Sequence, residues 1–443
     1  MVIIIEFSLG YGKGKQELSV PDENLIGVLT PNKVEAPASE EAAVKRALLE
    51  PIGSPRLRDI VKPGEKIAIV TSDITRPMPT YKVMPALLDE LISAGVSPKD
   101  VTLVFALGSH RKHTAEEMRH LAGERAFEEI NLADSDVNDC VRFGFTSNGT
   151  PVDITRTVAE ADRRILLGNI EYHYFAGYSG GAKALMPGVS TPAAIEKNHS
   201  LMVMEESRAG NLELNPLRRD IEESGAMVGA DFILNVVLNE KKQIVAAFAG
   251  DMVKAHREGC KFLDRLFAAP IKERADIVVT CQAGAPKDVN LYQTQKALDN
   301  AKHAVKDGGT VILVGECPEG LGNETFSRWM REAESPSDII ERLSKGFKLG
   351  GHKAAAIALI LKRADITLVS EMDEALVRNI FLEPERSVQR AFDKALLKHG
   401  PQAKVIVMPY GGSTLPKLVY LKRRKNYGKA LDRKNFREYR PRG

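Results

Sequence analysis

Residues 66–73 read KIAIVTSD, an unbroken apolar run that opens into a polar loop. The loop holds two prolines, and MPALLDELISAG (84–95) follows with apolar residues at helical spacing and a glycine stop. DVTLVFALGSH (100–110) repeats the plan, an apolar run ending in Gly, Ser and His, and RRILLGNI (163–170) is a third. Strand, polar loop, helix and strand in alternation predict an α/β fold with a parallel sheet. Such sheets collect ligands at the carboxyl ends of their strands. The polar residues there are Asp73, Thr75 and Arg76, then His110, Arg111 and His113, then Glu171 and His173. They are expected to meet along one edge of one sheet.

Outward from this unit the pattern recurs. ADIVVTCQAG (275–284), NLYQTQKALDNAKHAV (290–305) and GGTVILVGEC (308–317) read as strand, amphipathic helix and strand, a second βαβ unit. ADITLVSEM (364–372) and AKVIVMPYGG (403–412) continue the alternation, and the start of the chain, VIIIEFSL and QELSV around GYGKGK, reads as a hairpin. A chain of 443 residues exceeds the usual size of one core. We therefore expect two α/β domains with mainly parallel sheets, residues 1–270 and 275–412, with the boundary in LFAAPIKERAD (266–276). A basic tail, 413–443, follows, and one placement for it is back against the first domain.

Hydrophobic residues at 43%, charged residues at 27% and a net charge of +3 give no case for nucleic acid. The four cysteines are far apart and form no CxxC pair, which argues against a zinc ribbon or disulfide framework and suits a reducing cytoplasm. The apolar start is too short for a signal segment, and no apolar run approaches the roughly 18–20 residues of a membrane span.

Residues 171–188, EYHYFAGYSGGAKALMPG, follow the third strand without helical or strand period. The segment is not a P-loop, because Ala182 separates Gly181 from Lys183 and Ala184 stands where a hydroxyl is needed. The spacing of Gly177, Gly180 and Gly181 also fails the dinucleotide-binding turn. An exposed loop whose lysine points to water is the ordinary alternative. Against it stand three loop histidines, His110, His173 and His199, and the arginine of DITRP. Arg76 offers a planar fork for a carboxylate or phosphate. Two histidines titrating near neutral pH suit exchangeable acid and base roles. Glycines admit a close-lying ligand, and a lysine among cations becomes a usable nucleophile. Racemisation is one of the few reactions that wants this set.

SDITRPMP (72–79), ALGSHRKHTAEEM (106–118), GNIEYHYFAGYSGGAKALMPG (168–188), EKNH (196–199) and APKDVNLYQTQKALDNA (285–301) together resemble the lactate racemase family, in order and over most of the chain. The resemblance implies a racemase or epimerase of 2-hydroxy acids that uses a nickel-pincer nucleotide, loaded through transient contact with cofactor-biosynthesis proteins. Lys183 would hold that cofactor covalently through a thioamide, and His199 would be the nickel ligand. Asp73, Ile74, Thr75 and Arg76 would contact cofactor and substrate, and His110 and His173 would be the paired acid–base groups. Arg76, Tyr292, Gln293 and Lys296 would bind substrate across a cleft between the domains. The Cα hydrogen would leave as hydride to the cofactor and return to the opposite face. Lactate-specific members set a bulky apolar side chain against the substrate methyl. Here GFKLGGHKAAAIALI (346–360) brings Gly350, Gly351 and His352, which leads us to expect a more open or more polar pocket.

Other readings are a zinc hydrolase with His110 and His113 as an HxxH pair, and a non-enzymatic cofactor- or RNA-binding protein acting through its tail. The zinc pattern lacks the glutamate of H-E-x-x-H and a third ligand at a telling distance.

Overall fold

The computed structural model describes residues 3–32, 37, 39–239 and 241–419. Two six-stranded sheets organise them. Across the first, the strands run in the order Ile244–Gly250, Phe232–Leu238, Arg163–Asn169, Ile67–Ser72, Val101–Ala106 and Asn131–Asp134. Every neighbouring pair is parallel except Phe232–Leu238 with Ile244–Gly250. Ile67, Ala68, Ile69 and Val70 are all buried, as expected of a strand covered on both faces and read as a continuous apolar run. The second sheet is parallel throughout, in the order Glu383–Glu385, Asp365–Val369, Val305–Val314, Ala275–Cys281, Val405–Met408 and Leu25–Val28.

Each sheet reverses direction of growth once. In the first, successive strands build away from Ile67–Ser72 on one side before Arg163–Asn169 joins on the other. In the second, the reversal lies between Ala275–Cys281 and Val405–Met408. Loops leaving two strands at such a point diverge and leave a crevice at their carboxyl ends. The residues lining the molecule's main cleft include those that follow both reversal points, Asp73 and Glu171 from the first sheet, Gln282 and Gly412 from the second.

The sequence reading put the chain start in the first domain, and the strand pairing corrects this. Leu25–Val28 is the edge strand of the second sheet, paired with Val405–Met408. The hairpin of Ile4–Tyr11 and Gly14–Pro21 packs Leu9, Tyr11, Leu18 and Val20 with Ile277, Val279 and Phe392. A period-two pattern announces a half-buried hairpin but is silent about which sheet covers it. At the other end, Leu415–Leu418 pairs in parallel with Ala268–Ile271, the segment linking the halves, while residues 420–443 of the predicted basic tail lie outside the described residues. No helix among the described residues is long and apolar enough to cross a membrane.

Leu18 is fully buried although it lies near the chain start. We expect Leu18→Ala to lower the unfolding free energy by about 2–5 kcal/mol, and Ile4→Ala, at a site 45% exposed, to change it by roughly 0.5 kcal/mol or less. Denaturant midpoints of the two variants check this; equal midpoints would show that the hairpin is not part of the core.

Candidate active site

Asp73 is buried directly after its strand, and its carboxylate accepts from Thr75 Oγ1 at 2.9 Å and pairs with His110 Nδ1 at 2.8 Å. Burial alone would raise its pKa. The hydrogen bond and charge of His110, helped by Thr75 and Arg76, hold it below the ordinary value instead. With Nδ1–H directed at a carboxylate, the lone pair of a singly protonated His110 ring lies on Nε2. The pair therefore has the orientation of a base steadied by an acid, assembled from the ends of adjacent strands.

His113 plays a different part from the one the zinc reading gave it. Its Nδ1 pairs with Asp134 Oδ1 at 2.6 Å and its Nε2 accepts from the Ile74 amide at 3.1 Å. Both nitrogens are engaged, so no lone pair remains for a metal. The ring instead fixes the backbone of the loop that carries Asp73 and Arg76. Asp73, Thr75 and Arg76 line the cleft, whereas Ile74 is not among the lining residues.

Lys183 sits in a short turn, Gly181–Ala184, and lines the same cleft. The turn depends on Gly180 and Gly181, at φ +77° and +60°. A Cβ at Gly181 would meet Arg218 Nη2 at 2.9 Å and the His256 ring at 3.0 Å. The Gly181 amide donates to Asn235 Oδ1 at 2.8 Å. Beneath the loop the buried Arg218 guanidinium donates to the carbonyls of Tyr178 and Gly180, both at 3.3 Å, and to Glu222 at 2.7 Å. Its Nη2 stands 3.0 Å from His256 Nδ1, while His256 Nε2 reaches the Ser179 carbonyl at 2.8 Å. Burial, then the charges of Arg76 and Arg218, push the Lys183 pKa well below the ordinary lysine value, against a smaller opposing effect of Glu171.

His199 lies in the last turn of the helix Pro192–Ser200, which starts with Pro192 in its first turn and Thr191 capping the Ala194 amide. The Asn198 amide nitrogen donates to Asp220 and to the Leu217 carbonyl, so its oxygen is the acceptor 3.2 Å from His199 Nδ1. That fixes the tautomer and leaves Nε2 with a free lone pair. Burial, then the charges of Lys183, His352 and Arg76, lower the His199 pKa to about 3, so the ring stays neutral. His173, also kept neutral by burial and nearby cations, accepts at Nδ1 from the Ala176 amide at 3.2 Å. Its proton is therefore on Nε2. Phe175 packs edge-on against both rings, at centroid distances of 4.4 Å to His173 and 4.9 Å to His199.

The facing wall is the helix Leu291–Ala301, capped by the Asn290 side chain at the Gln293 amide. Tyr292, Gln293 and Lys296 all line the cleft, whose volume is about 980 Å³. Lys296 is open to the cleft space, yet the surrounding walls desolvate it enough to lower its pKa. The expectation that Gly350 and Gly351 open the pocket is not met. A Cβ at Gly350 would meet Asn323 Oδ1 at 2.3 Å, and one at Gly351 the Trp329 ring at 2.7 Å, so both glycines answer to packing behind the wall. Phe347, Leu349, His352 and Lys353 present side chains there instead.

Arg218, His256, Asn198 and Lys353 escaped the sequence reading. PLRRDIEESGAMV (216–228) looks like any polar helix face, and only the fold brings Arg218 under a glycine loop some 40 residues earlier in the chain. Among the described residues no group of three His, Cys, Asp or Glu side chains is placed to hold a metal ion by itself, as a protein-ligated zinc site requires.

Only about one in 10³ ordinary lysine amines is uncharged at pH 7. Lys183, with its depressed pKa, should keep a nucleophilic amine as pH falls below the range where exposed lysines lose theirs. Limited acetylation of cofactor-free protein across pH 6–9, read by peptide mass, should show Lys183 still reacting where the exposed Lys13 and Lys99 have slowed; parallel pH profiles would refute the assignment.

The family model described as the lactate racemase N-terminal domain matches residues 11–211, and that of the lactate racemase C-terminal domain matches residues 271–415. A lactate racemase of Thermoanaerobacterium thermosaccharolyticum is 35% identical over 417 residues, covering 91% of this chain and 97% of that protein. One from Lactiplantibacillus plantarum is 33% identical over 424 residues, covering 92% and 99%. The solved lactate racemase apoprotein of T. thermosaccharolyticum superposes with a TM-score of 0.81 at 33% identity, over 93% of this chain and all of that one. A Thermotoga maritima protein, 19% identical with a TM-score of 0.58 over 88% of this chain and all of its own, shares the fold alone. With two domain models end to end and full-length relatives at this identity, the chain belongs to the lactate racemase family and is an isomerase of the racemase type.

Proposed function

We propose that the protein inverts the Cα of a 2-hydroxy acid, lactate or a larger relative, with a nickel-pincer nucleotide held between Lys183 and His199. The observation that carries this reading is the pairing, in one cleft, of a lysine on a glycine loop, its charged form disfavoured by burial and nearby arginines, with a neutral imidazole whose Nε2 is free. The residues fit the group. Lys183 is the nucleophilic amine a thioamide needs, and an imidazole nitrogen suits nickel in a planar site. Backbone at Gly180 and Gly181 leaves room for a flat ring, and Arg76 and Thr75 face the same space. When bound, the group would supply the acceptor and donor of the Cα hydrogen.

The chain's own residues would do the rest. His110, held by Asp73, would take the hydroxyl proton at Nε2 or return it, depending on the enantiomer. His173 would do the same from the other side. As it stands its Nδ1 accepts from Ala176, so service as a base requires the ring to give up that amide and carry its proton on Nδ1. Arg76 and Lys296 would anchor the carboxylate, with Gln293 beside them. A site walled by two halves of the chain can exclude water when they close. The unpaired thiols of the four cysteines fit a reducing cytoplasm. No observation favours a zinc hydrolase, since His113 has no nitrogen to spare.

In protein from the natural host, Lys183→Ala should lose both the covalent mass adduct and racemisation. His199→Ala should lose nickel while keeping the adduct. His110→Ala and His173→Ala should retain adduct and nickel, yet racemise about 10²–10⁴-fold more slowly. Intact mass, elemental analysis and polarimetry read these outcomes. Full activity in Lys183→Ala would end the covalent-cofactor reading, and unchanged rates in both histidine variants would end the acid–base assignment.

A further inference from the structure

Lys353 is 8% exposed and lines the cleft. Its Nζ donates to the Tyr292 carbonyl at 2.6 Å and lies 3.8 Å above the Tyr292 ring centre. No carboxylate among the described residues pairs with it. The one that acts on it electrostatically, Asp299, is engaged by Lys302 at 2.5 Å. On the same wall Gln295, 3% exposed, has its amide nitrogen buried without a partner. Tyr292, Gln295, Lys296 and Asp299 recur at helical spacing, so they share one face of the helix Leu291–Ala301, and all of them line the cleft. Two buried donor groups lining this cleft, neither of them paired with an anion, are costly in the free protein.

We propose that Lys353 and Gln295 form a second anion position in the cleft and that the substrate is a 2-hydroxy acid with a second acidic group. The inference rests on the racemase reading and narrows its substrate class. The wall carrying the pair faces the glycine loop of Lys183 and is continuous with Gln293 and Lys296, the expected partners of the first carboxylate. His352, next to Lys353, stacks on Tyr174 and Phe347, and Phe347 meets His199 edge-on, so the position adjoins the reacting centre through one aromatic layer. Burial, with a further contribution from Lys296, lowers the Lys353 pKa to about 7. A bound carboxylate would restore its charge and complete the hydrogen bonding of the Gln295 amide. A three-carbon acid with a bare methyl offers neither.

The test compares kcat/KM of the holoenzyme from its natural host on lactate, 2-hydroxybutyrate, malate and 2-hydroxyglutarate. A dicarboxylate should exceed the two monocarboxylates at least tenfold. Lys353→Met should cut that ratio by about 10–100-fold, mainly through KM, the loss expected when one charged hydrogen bond is removed. Lys353→Arg should keep most of it. Calorimetric titration of the cofactor-free protein with malate should show the same order of affinities among the three proteins. Racemisation of lactate or 2-hydroxybutyrate as efficient as that of both dicarboxylates overturns the inference and leaves the racemase reading intact. Failure of every 2-hydroxy acid to racemise, with nickel and adduct present, overturns the racemase reading and the inference with it. Loss of adduct or nickel from Lys353→Met with the substrate ratio unchanged assigns the pair to the cofactor's phosphate and likewise overturns it.

Discussion

A buried guanidinium under a glycine loop is the constraint on which the candidate site depends. Arg218 binds the carbonyls of Tyr178 and Gly180 and braces His256, which in turn holds the carbonyl of Ser179. Loop backbone with few side chains would otherwise be free to move, and its carbonyls would need water. Fastened this way, it presents Lys183 at a fixed point of the cleft. The same guanidinium adds its charge to the burial that disfavours the charged form of the lysine amine. One residue thus supports both the position and the chemistry of the group expected to carry the cofactor. Glu222 balances the buried charge, and Arg257 shares that carboxylate, so the cluster is a network whose members stabilise one another.

The remaining polar groups follow the same logic of engaging one atom so that another is left in a defined state. Asp73 takes His110 Nδ1 and leaves Nε2 open to the cleft. Asn198 takes His199 Nδ1 and leaves the Nε2 lone pair free. Asp134 takes His113 Nδ1, and the Ile74 amide then takes Nε2, which turns the ring into a structural pin. Three histidines are therefore left in different states, set by what each ring's two nitrogens meet. The far wall contrasts with this economy. Lys353 and Gln295 are buried there with hydrogen-bonding capacity left over, which points toward a ligand atom rather than a protein one.

Much of the fold was legible. The apolar runs at 66–73, 100–110 and 163–170 are buried parallel strands, and of their trailing polar residues Asp73, Thr75, Arg76, His110, Glu171 and His173 line one cleft, whereas Arg111 turns to Glu117 and His113 to Asp134. The hairpin at the chain start was legible as a hairpin but not as part of the second sheet, because alternation encodes one buried face and not its partner. The candidate site was legible where chemistry-bearing residues cluster in the chain, as in EYHYFAGYSGGAKALMPG. It was illegible where a distant helix supplies the support, as with Arg218 and His256. Gly350 and Gly351 misled for a related reason: absence of a side chain in sequence does not tell which side of the wall needs the space, and here Trp329 and Asn323 fill it.

The sequence by itself determined the α/β alternation, the loops that carry Asp73, His110, His173 and Lys183, and the order of motifs that marks the family, because strand and helix periods and local residue types are properties of neighbours along the chain. The tertiary structure alone decided which sheet the first strands join, which histidine nitrogen is free, and which lysines have their pKa lowered. Those outcomes depend on burial and on partners tens to hundreds of residues away, and no local pattern carries the distance between Lys183 and Arg218 or the closeness of Lys353 to Tyr292.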